Sequence, residues 1–505
     1  MKPLLRDLLW ILPVSLAAGS LLSLLDGGNW WTGLMAYGLL LLCGCLLLAG
    51  MIRSGGGMRW LFVVVLLSVF IRLSLGVSLS ILLPTHGYDT GVYRGGYLYF
   101  DASRRDNEAW DLAASDQSLW KAFDQSYGSD QYGGLLFFSS ALYRGLSPDQ
   151  HRPWVIIVLG SLVAGMGTAL AQRIGNVLGG ERMSRLTAWI VALYPEALLL
   201  GSSQMREPYL ITFVALAVWG GLLWNSRRRL SLAVGLGGFA LLLLFSPLVA
   251  LAAAFLLLPW MFIRANWSRY FRWQALFGVV LGLAAVMAFA LLGRWLLTSA
   301  SWDVHLAEQG SGMIEYIFAR MPPGLQLPFM TGYGLTQPLL PAAIFDPAPW
   351  IIQSISVFRS IGWYLLLPFL VIVFWPVLQD RDAQDRAAWL WFLLISLGWI
   401  LLSSFRAGGD QWDNPRYRTI FLLAQAILAA RAWLWWRESA SRWPGRILAI
   451  EAVFLAFFSY WYALRYWGSA AGQVHVFVIL GLIFAASVLI LAGGWWQDRR
   501  SRRTR

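Results

Sequence analysis

Long apolar runs separated by short polar breaks make up most of this chain. Many of the runs reach or approach the roughly 20 residues that an α-helix needs to cross a bilayer. The short alternating segments typical of a transmembrane β-barrel do not occur in the sequence. We therefore predict an all-α polytopic membrane protein with about 14 spans, at 5–25, 29–52, 60–83, 154–178, 186–203, 208–224, 230–245, 247–263, 274–297, 350–378, 387–404, 419–436, 446–467 and 475–496.

Two breaks between these runs carry further information. Segments 230–245 and 247–263 are divided at Ser246-Pro247, and proline removes a backbone donor, which predicts a tight turn there. The first apolar run is followed by no small-residue cleavage site, so we expect it to be a retained span, not a cleaved signal peptide.

The basic residues predict the orientation of the spans. The net charge is +13, and with the amino terminus inside, 22 of the 39 lysines and arginines fall in short inner segments. Cytoplasmic loops carry such an excess, so both termini are predicted to be cytoplasmic. The basic end QDRRSRRTR is interpreted as an anchor beside anionic membrane lipid, and no nucleic-acid partner is expected.

Three outer segments follow from this orientation: 84–153, 298–349 and 405–418. Long loops in compact proteins are often functional. The first loop has apolar residues at spacings of three to four with charges between them, which predicts one or two helices lying on the membrane surface.

Four acids crowd one stretch of the first loop, YLYFDASRRDNEAWDLAAS. Asp101 directly follows the aromatic run, which puts it near the lipid–water boundary, where a carboxylate can meet both a lipid headgroup and a soluble acceptor. Asp106, Glu108 and Asp111 alternate with arginine and tryptophan, which is typical of the solvated face of a surface helix. Asp101 is therefore the candidate catalytic acid.

A second pair of charges lies in the short outer turn GSSQMREPYL. In one interpretation Pro208 starts a helix, Glu207 caps it and Arg206 neutralises the acid. In the other, Glu207 is a second functional acid that faces the first loop. The residues by themselves leave both interpretations open.

A third group, Arg416, Tyr417 and Arg418, precedes a span on the outer side. Outer arginines run against the positive-inside bias and call for an explanation. Arginine binds phosphate through two parallel hydrogen bonds, so a lipid phosphate is the simplest ligand. The alternative is ordinary pairing with Asp410 and Asp413.

Other chemistries find little support in the sequence. The four histidines form no close pair and have no metal-ligand spacing with cysteine. No nucleophile elbow or phosphate-binding glycine loop occurs in a suitable context. An ion-coupled transporter usually has acids within its spans, and Glu451 alone is a fair candidate for that role.

Four segments together resemble the GT-C superfamily of membrane glycosyltransferases, which includes the protein O-mannosyltransferase and aminoarabinose-transferase relatives. They are FDASRRDNEAWDLA, LYPEALLLGSSQMREPYL, LLLLFSPLVALAAAFLL and NPRYRTIFLLAQAILAA. The layout is similar as well: 60–297 supplies a seven-span module with its first outer loop at 84–153. Residues 1–59 would be two extra N-terminal helices, and 298–505 an outer loop with variable spans. The chain lacks an adjacent Asp-Glu pair in that loop and a WWD motif.

The resemblance implies a GT-C-like bundle and an inverting transfer from a polyprenyl-phosphate-linked sugar to a lipid, glycan or protein acceptor. Asp101 would be the general base, and Glu207 with Arg206 would orient the acceptor. Arg416, Tyr417 and Arg418 would bind the lipid phosphate. Relatives differ in needing a divalent cation, and Asp101 and Glu207 are the residues that would hold Mg²⁺ or Mn²⁺. The site would lie on the extracytoplasmic side of the inner membrane.

Two other functions remain open from the sequence. A glycan polymerase or ligase of another membrane fold would rely on outer-loop arginines without an essential acid. A transporter of a lipid-linked precursor would move its cargo without forming a product.

Overall fold

The computed structural model describes residues 2–124, 127, 132–264, 317–406, 410–467 and 474–503. Within these ranges every regular element is helical, which confirms the predicted all-α class. A short 3₁₀ helix occupies Leu119–Phe123. The α-helices are α1 (Lys2–Asp26), α2 (Trp30–Ser54), α3 (Arg59–His86), α4 (Gly91–Arg94), α5 (Phe100–Ala114), α6 (Gly134–Leu146), α7 (Trp154–Leu193), α8 (Pro195–Gly201), α9 (Glu207–Leu222), α10 (Arg228–Phe245), α11 (Pro247–Arg264), α12 (Pro323–Thr336), α13 (Leu340–Phe345), α14 (Trp350–Ile372), α15 (Phe374–Leu378), α16 (Ala383–Arg406), α17 (Asp413–Thr419), α18 (Leu422–Glu438), α19 (Trp443–Trp467) and α20 (Val476–Arg503).

Ten of the described helical stretches are long and apolar enough to cross a membrane, and α17 with α18, bent by 74°, would make an eleventh. The chain is therefore a multi-pass integral membrane protein. The predicted span at 274–297 and the first part of the predicted outer loop, 298–316, lie outside the described residues. The count of about 14 spans is not confirmed by the described part of the chain.

Helix α7 is not one straight rod. Its backbone leaves helical geometry at Gly179 and Gly180, and Gly180 adopts a positive φ of 74°, which glycine tolerates best. Gly175 lies directly against the backbone of Ser184, so the chain doubles back at this point. The first arm corresponds to the predicted span 154–178, whereas the predicted span 186–203 is divided between the end of the second arm and the short helix α8.

The predicted tight turn at Ser246-Pro247 is confirmed. Helix α10 ends at Phe245, and α11 begins at Pro247. Proline at the first position of a helix loses no hydrogen bond, because that N–H has no partner within the helix. The predicted span 208–224 corresponds to α9, an apolar helix of 16 residues.

The chain divides into two compact units. The first comprises Met1–Ala265 with Thr419–Ala426, and the second comprises Asn266–Arg418 with Ile427–Arg505. In the first unit α7 packs against α2, α3 and α9, while α1 packs on α2, α10 on α9 and α5 on α6. In the second, α12 packs on α16, and α19 packs on α13, α14 and α20.

Side-chain contacts show which interhelical turns of the first unit lie at the same end. At one end Arg152 donates to Asn29 O at 3.1 Å, and Gln204 donates to Pro153 O at 3.3 Å. At the other end Arg173 donates to Met51 O in the last turns of α2, and Arg53 pairs with Asp7. The turns predicted to be outer therefore share one end of this unit.

The α1–α2 turn provides a test of that packing. Gly27 and Gly28 have φ values of 78° and 71°, where a side chain costs about 1–2 kcal/mol. A Cβ on Gly27 would meet no atom within 4 Å, whereas one on Gly28 would displace the end of the Gln150 side chain and lie 3.2 Å from the guanidinium of the buried Arg152. We expect both alanine variants to lower the unfolding midpoint, with Gly28→Ala the more severe. Scanning fluorimetry of the detergent-purified protein measures the difference, and equal effects would contradict the packing of this turn on Gln150.

Candidate functional site

The segment predicted as the first outer loop, 84–153, contains the predicted helices, α5 and α6. Helix α5 packs on α6, and its buried residues Ala102, Ala109 and Leu112 follow helical spacing. Asn107 and Asp111, on other faces, are exposed. The two helices are therefore packed by an apolar stripe on α5, and the polar face of α5 remains open.

Asp101 lies in the first turn of α5 and is half-buried. Tyr97, Leu98 and Tyr99 are each 5% exposed, whereas Phe100, directly before Asp101, is 64% exposed. Tyr99 at the helix start makes no side-chain capping hydrogen bond, and a carboxylate in the first turn is favoured by the helix dipole. The candidate acid is thus partly accessible and held at a fixed helix terminus.

Asp106 contradicts the interpretation that assigned it to a solvated helix face. Its side chain is 0% exposed, and both carboxylate oxygens accept hydrogen bonds. Tyr143 Oη donates to Oδ1 at 2.6 Å, while Tyr97 Oη, at 2.8 Å, and His151 Nε2, at 3.0 Å, contact Oδ2. Of the other two acids assigned to that face, Glu108 is half-buried and Asp111 is exposed. A buried carboxylate needs such partners, because burying an unpaired charge is costly.

Aromatic rings enclose these hydrogen bonds. Trp110, one turn after Asp106, stacks on His151 with ring centroids 5.3 Å apart and meets Tyr143 edge-on at 5.9 Å. Burial, together with the neighbouring Asp106 carboxylate, raises the pKa of both Tyr97 and Tyr143, so the two phenols remain protonated donors. We name these five residues, Tyr97, Asp106, Trp110, Tyr143 and His151, the Asp106 cluster.

Arg152 adjoins the cluster and is fully buried. Its guanidinium donates to Asp149 Oδ1 at 2.7 Å and Oδ2 at 3.0 Å, and to Ser147 Oγ at 2.8 Å. Its Nε lies 3.5 Å from Asp26 Oδ2, and that same oxygen accepts from Tyr37 Oη at 2.6 Å. The α1–α2 hairpin is thereby tied to the segment that leads into α7.

Helix α9 begins at Glu207, followed by Pro208; the capping position is Arg206, not Glu207 as the structural interpretation predicted, and no side-chain hydrogen bond caps the helix. Its side chain is buried, since the residue is 1% exposed. Arg206 is half-buried and places its guanidinium over the ring of Tyr132, 5.5 Å from the centroid. These contacts are compatible with a structural and with a functional role of the pair.

In the second unit, Arg416, Tyr417 and Arg418 lie within the short helix α17, not directly before the long helix α18. Arg416 is 5% exposed, donates to Tyr417 Oη at 3.0 Å and lies 3.4 Å from Asp413 Oδ1. Pairing with Asp413, the alternative interpretation, is therefore observed for Arg416. Asp410 accepts backbone N–H groups of the same turn.

Arg418 is fully buried and has a structural task. It donates to Gln337 O at 2.8 Å, beside the end of α12, and its guanidinium lies 3.3 Å from the ring centroid of Trp363. The last carbonyls of a helix need partners from outside it. At α12 these partners come from Asn414, Trp363 and Tyr364, which donate to Gly334 O, Leu335 O and Thr336 O respectively.

The predicted residues thus fall into two groups. Asp101, Arg206 and Glu207 belong to the first unit, and Arg416, Tyr417 and Arg418 to the second. The sequence interpretation missed Asp106, although it lies four residues after Ala102 and three before Ala109, on the apolar stripe of α5. In the described part of the chain, no three His, Cys, Asp or Glu side chains gather in a metal-binding arrangement.

Comparison with known proteins gives no match: no protein-family model, curated protein or solved structure is significantly similar to the chain. Function is therefore inferred from the side chains themselves.

Proposed function

We propose that this protein is an inverting membrane glycosyltransferase with a GT-C-like bundle of about 14 spans. It would move a sugar from a polyprenyl-phosphate donor to an extracytoplasmic acceptor at the inner membrane. The observation that carries the proposal is Asp101, a half-buried carboxylate at the start of α5, on a helical loop between the apolar helices α3 and α7. A general base needs this combination of access and fixed position.

In the proposed reaction Asp101 accepts the proton of an acceptor hydroxyl or amine. The acceptor's lone pair forms the new bond to the anomeric carbon, while the bond from that carbon to the phosphate oxygen breaks. The polyprenyl phosphate leaves with the bonding electrons, and the configuration of the sugar inverts. Negative charge grows on the leaving phosphate, so cationic donors accelerate the step.

In the proposed reaction Glu207 and Arg206 orient the acceptor. Both residues belong to the same unit as Asp101. Since Glu207 is buried and no group of three metal-ligating side chains occurs among the described residues, we derive no step through a divalent cation.

The phosphate is assigned to Arg416 and Tyr417, with Arg418 fixing the segment that carries them. Arg416 supplies a guanidinium next to a phenol hydroxyl, and both can donate to phosphate oxygens. Arg416 lies 3.4 Å from the Asp413 carboxylate, whose side chain is 41% exposed. A lipid phosphate could compete for the same guanidinium.

Arg416→Ala is expected to weaken binding of undecaprenyl phosphate by about tenfold or more, since a charge-assisted hydrogen bond contributes about 1.5–3 kcal/mol. Titration of the lipid into purified protein, followed by tryptophan fluorescence or thermal shift, measures the affinity. Arg185→Ala is the control, because Arg185 pairs with Glu181 on an exposed surface and should bind normally. An unchanged affinity in Arg416→Ala would remove the phosphate role.

The function itself is tested with a panel of undecaprenyl-phosphate-linked hexoses and pentoses and with cell membranes as the source of acceptor. Release of undecaprenyl phosphate together with transfer of the labelled sugar is the expected result. Movement of the labelled lipid across proteoliposomes without product would instead indicate a transporter. Turnover that survives loss of Asp101 would favour a polymerase or ligase.

A further inference from the structure

The Asp106 cluster joins four separate parts of the first unit at one carboxylate. Asp106 itself is on α5, Tyr97 precedes that helix, Tyr143 is on α6, and His151 is in the connection to α7. All three contacts to Asp106 are 3.0 Å or shorter. Removing the Asp106 side chain would therefore remove these hydrogen bonds of α5 with Tyr97, Tyr143 and His151 together.

Asp106 cannot serve as the accessible base of the site. Its side chain is fully buried and both oxygens are occupied. Asp101 lies five residues earlier, about 140° around the helix axis and about 7.5 Å along it. Because both acids belong to one rigid helix, the hydrogen bonds to Asp106 also set the position and direction of Asp101.

We propose that Asp106 is a positioning residue: its hydrogen bonds to Tyr97, Tyr143 and His151 fix α5 so that Asp101 presents its carboxylate to the acceptor. This inference rests on the proposed function, since it assigns a task in that reaction. Catalytic groups need support of this kind, because displacement by about 1 Å can cost roughly a hundredfold in rate.

Asp106→Asn keeps the shape of the side chain and replaces one accepting oxygen by an amide group. We expect kcat to fall at least tenfold on the panel member that turns over, with KM for that donor changed less than twofold. A matched control is Asp111→Asn, the same substitution at an exposed position of α5, which should leave both constants unchanged. Hydrogen–deuterium exchange of peptides from 100–114 should rise in Asp106→Asn and not in Asp111→Asn.

His151 gives a second test that does not require a change at Asp106. His151→Gln preserves a donor at the position of Nε2, whereas His151→Leu removes it. We expect the glutamine variant to retain most of the wild-type kcat and the leucine variant to lose at least tenfold, at similar folding yields. A difference in kcat between the two variants shows that the hydrogen bond of His151 to Asp106 matters. If His151 only filled space beside Trp110, the two variants would have similar kcat values.

The outcomes decide between the two proposals. If Asp106→Asn folds and shows neither faster exchange in α5 nor a lower kcat, the positioning role is overturned. It is equally overturned if His151→Gln and His151→Leu have the same kcat. If Asp101→Asn keeps full turnover, the proposed function fails, and exchange in α5 still reports whether Asp106 holds the helix.

Discussion

We expect Asp101→Asn to lower the proposed sugar transfer by about 10²–10⁴-fold, the range for removal of a general base. Asparagine has the same shape and cannot accept the proton from the acceptor. Asp101 is half-buried at the start of α5, so the substitution leaves the buried stripe of that helix intact. Expression and affinity for undecaprenyl phosphate should therefore stay close to those of the wild type. Single-turnover transfer with the labelled donor is the appropriate measurement.

Asp111→Asn serves again as the control, because it removes one negative charge from the same helix at an exposed position. Its turnover should match that of the wild type. Asp101→Glu keeps the carboxylate but moves it, and should show an intermediate rate. Wild-type turnover in Asp101→Asn would rule out the assignment of the base.

Arg152→Met is expected to cause the largest loss of stability, about 3–5 kcal/mol for the first unit, because it leaves partly buried carboxylates without their cation. The Arg152 side chain is 0% exposed, and Asp26 is 10% exposed. The unfolding midpoint, followed by the fluorescence of the 30 tryptophans, should fall by roughly 6 °C or more. Arg152→Lys keeps the charge but loses the paired hydrogen bonds to Asp149. Its unfolding midpoint should lie between those of the wild type and Arg152→Met.

Arg94→Met is the matched control for this stability test. It also removes an arginine from an ion pair, but Arg94 and Asp89 are 66% and 81% exposed, so about 0–1 kcal/mol is expected. Equal midpoints for Arg152→Met and Arg94→Met would show that the buried pair does not hold the hairpin.

The Arg152 effect should depend on pH in a defined direction. The hydrogen bond from Arg152 lowers the pKa of Asp149. A lowered carboxyl pKa means that the pair contributes fully above the usual aspartate value near 4, and that the contribution is lost as the pH falls through the lower folded value. The part of the midpoint difference between wild type and Arg152→Met that comes from Asp149 should therefore be present above about pH 4 and shrink below it.

These contacts also change the interpretation of the first two helices. The sequence predicted residues 1–59 as two additional spans beside a seven-span module. In the structure, Asp26 and Asn29 in the α1–α2 turn meet Arg152, the residue after His151 in the Asp106 cluster. The hairpin is therefore part of the scaffold that supports the first outer loop.

The sequence was sufficient wherever one local property decides the outcome. Apolar length predicted the membrane helices, proline at 247 predicted the tight turn, and apolar residues at spacings of three to four predicted helices in the first loop. Each of these follows from solvation or backbone geometry within about 20 residues of chain. The role of Asp101 as the base remains a prediction.

Only the tertiary structure decided which polar side chains are buried and what they contact. The sequence predicted that Asp106 lies on the solvated face of a helix, but its side chain is buried. Its partners Tyr143 and His151 lie 37 and 45 residues further along the chain. Arg418 looked like a ligand for an outer phosphate, yet it donates to Gln337 O, beside the end of a helix 81 residues earlier. Burying a charge is costly without partners, and the sequence does not show which distant segments provide them.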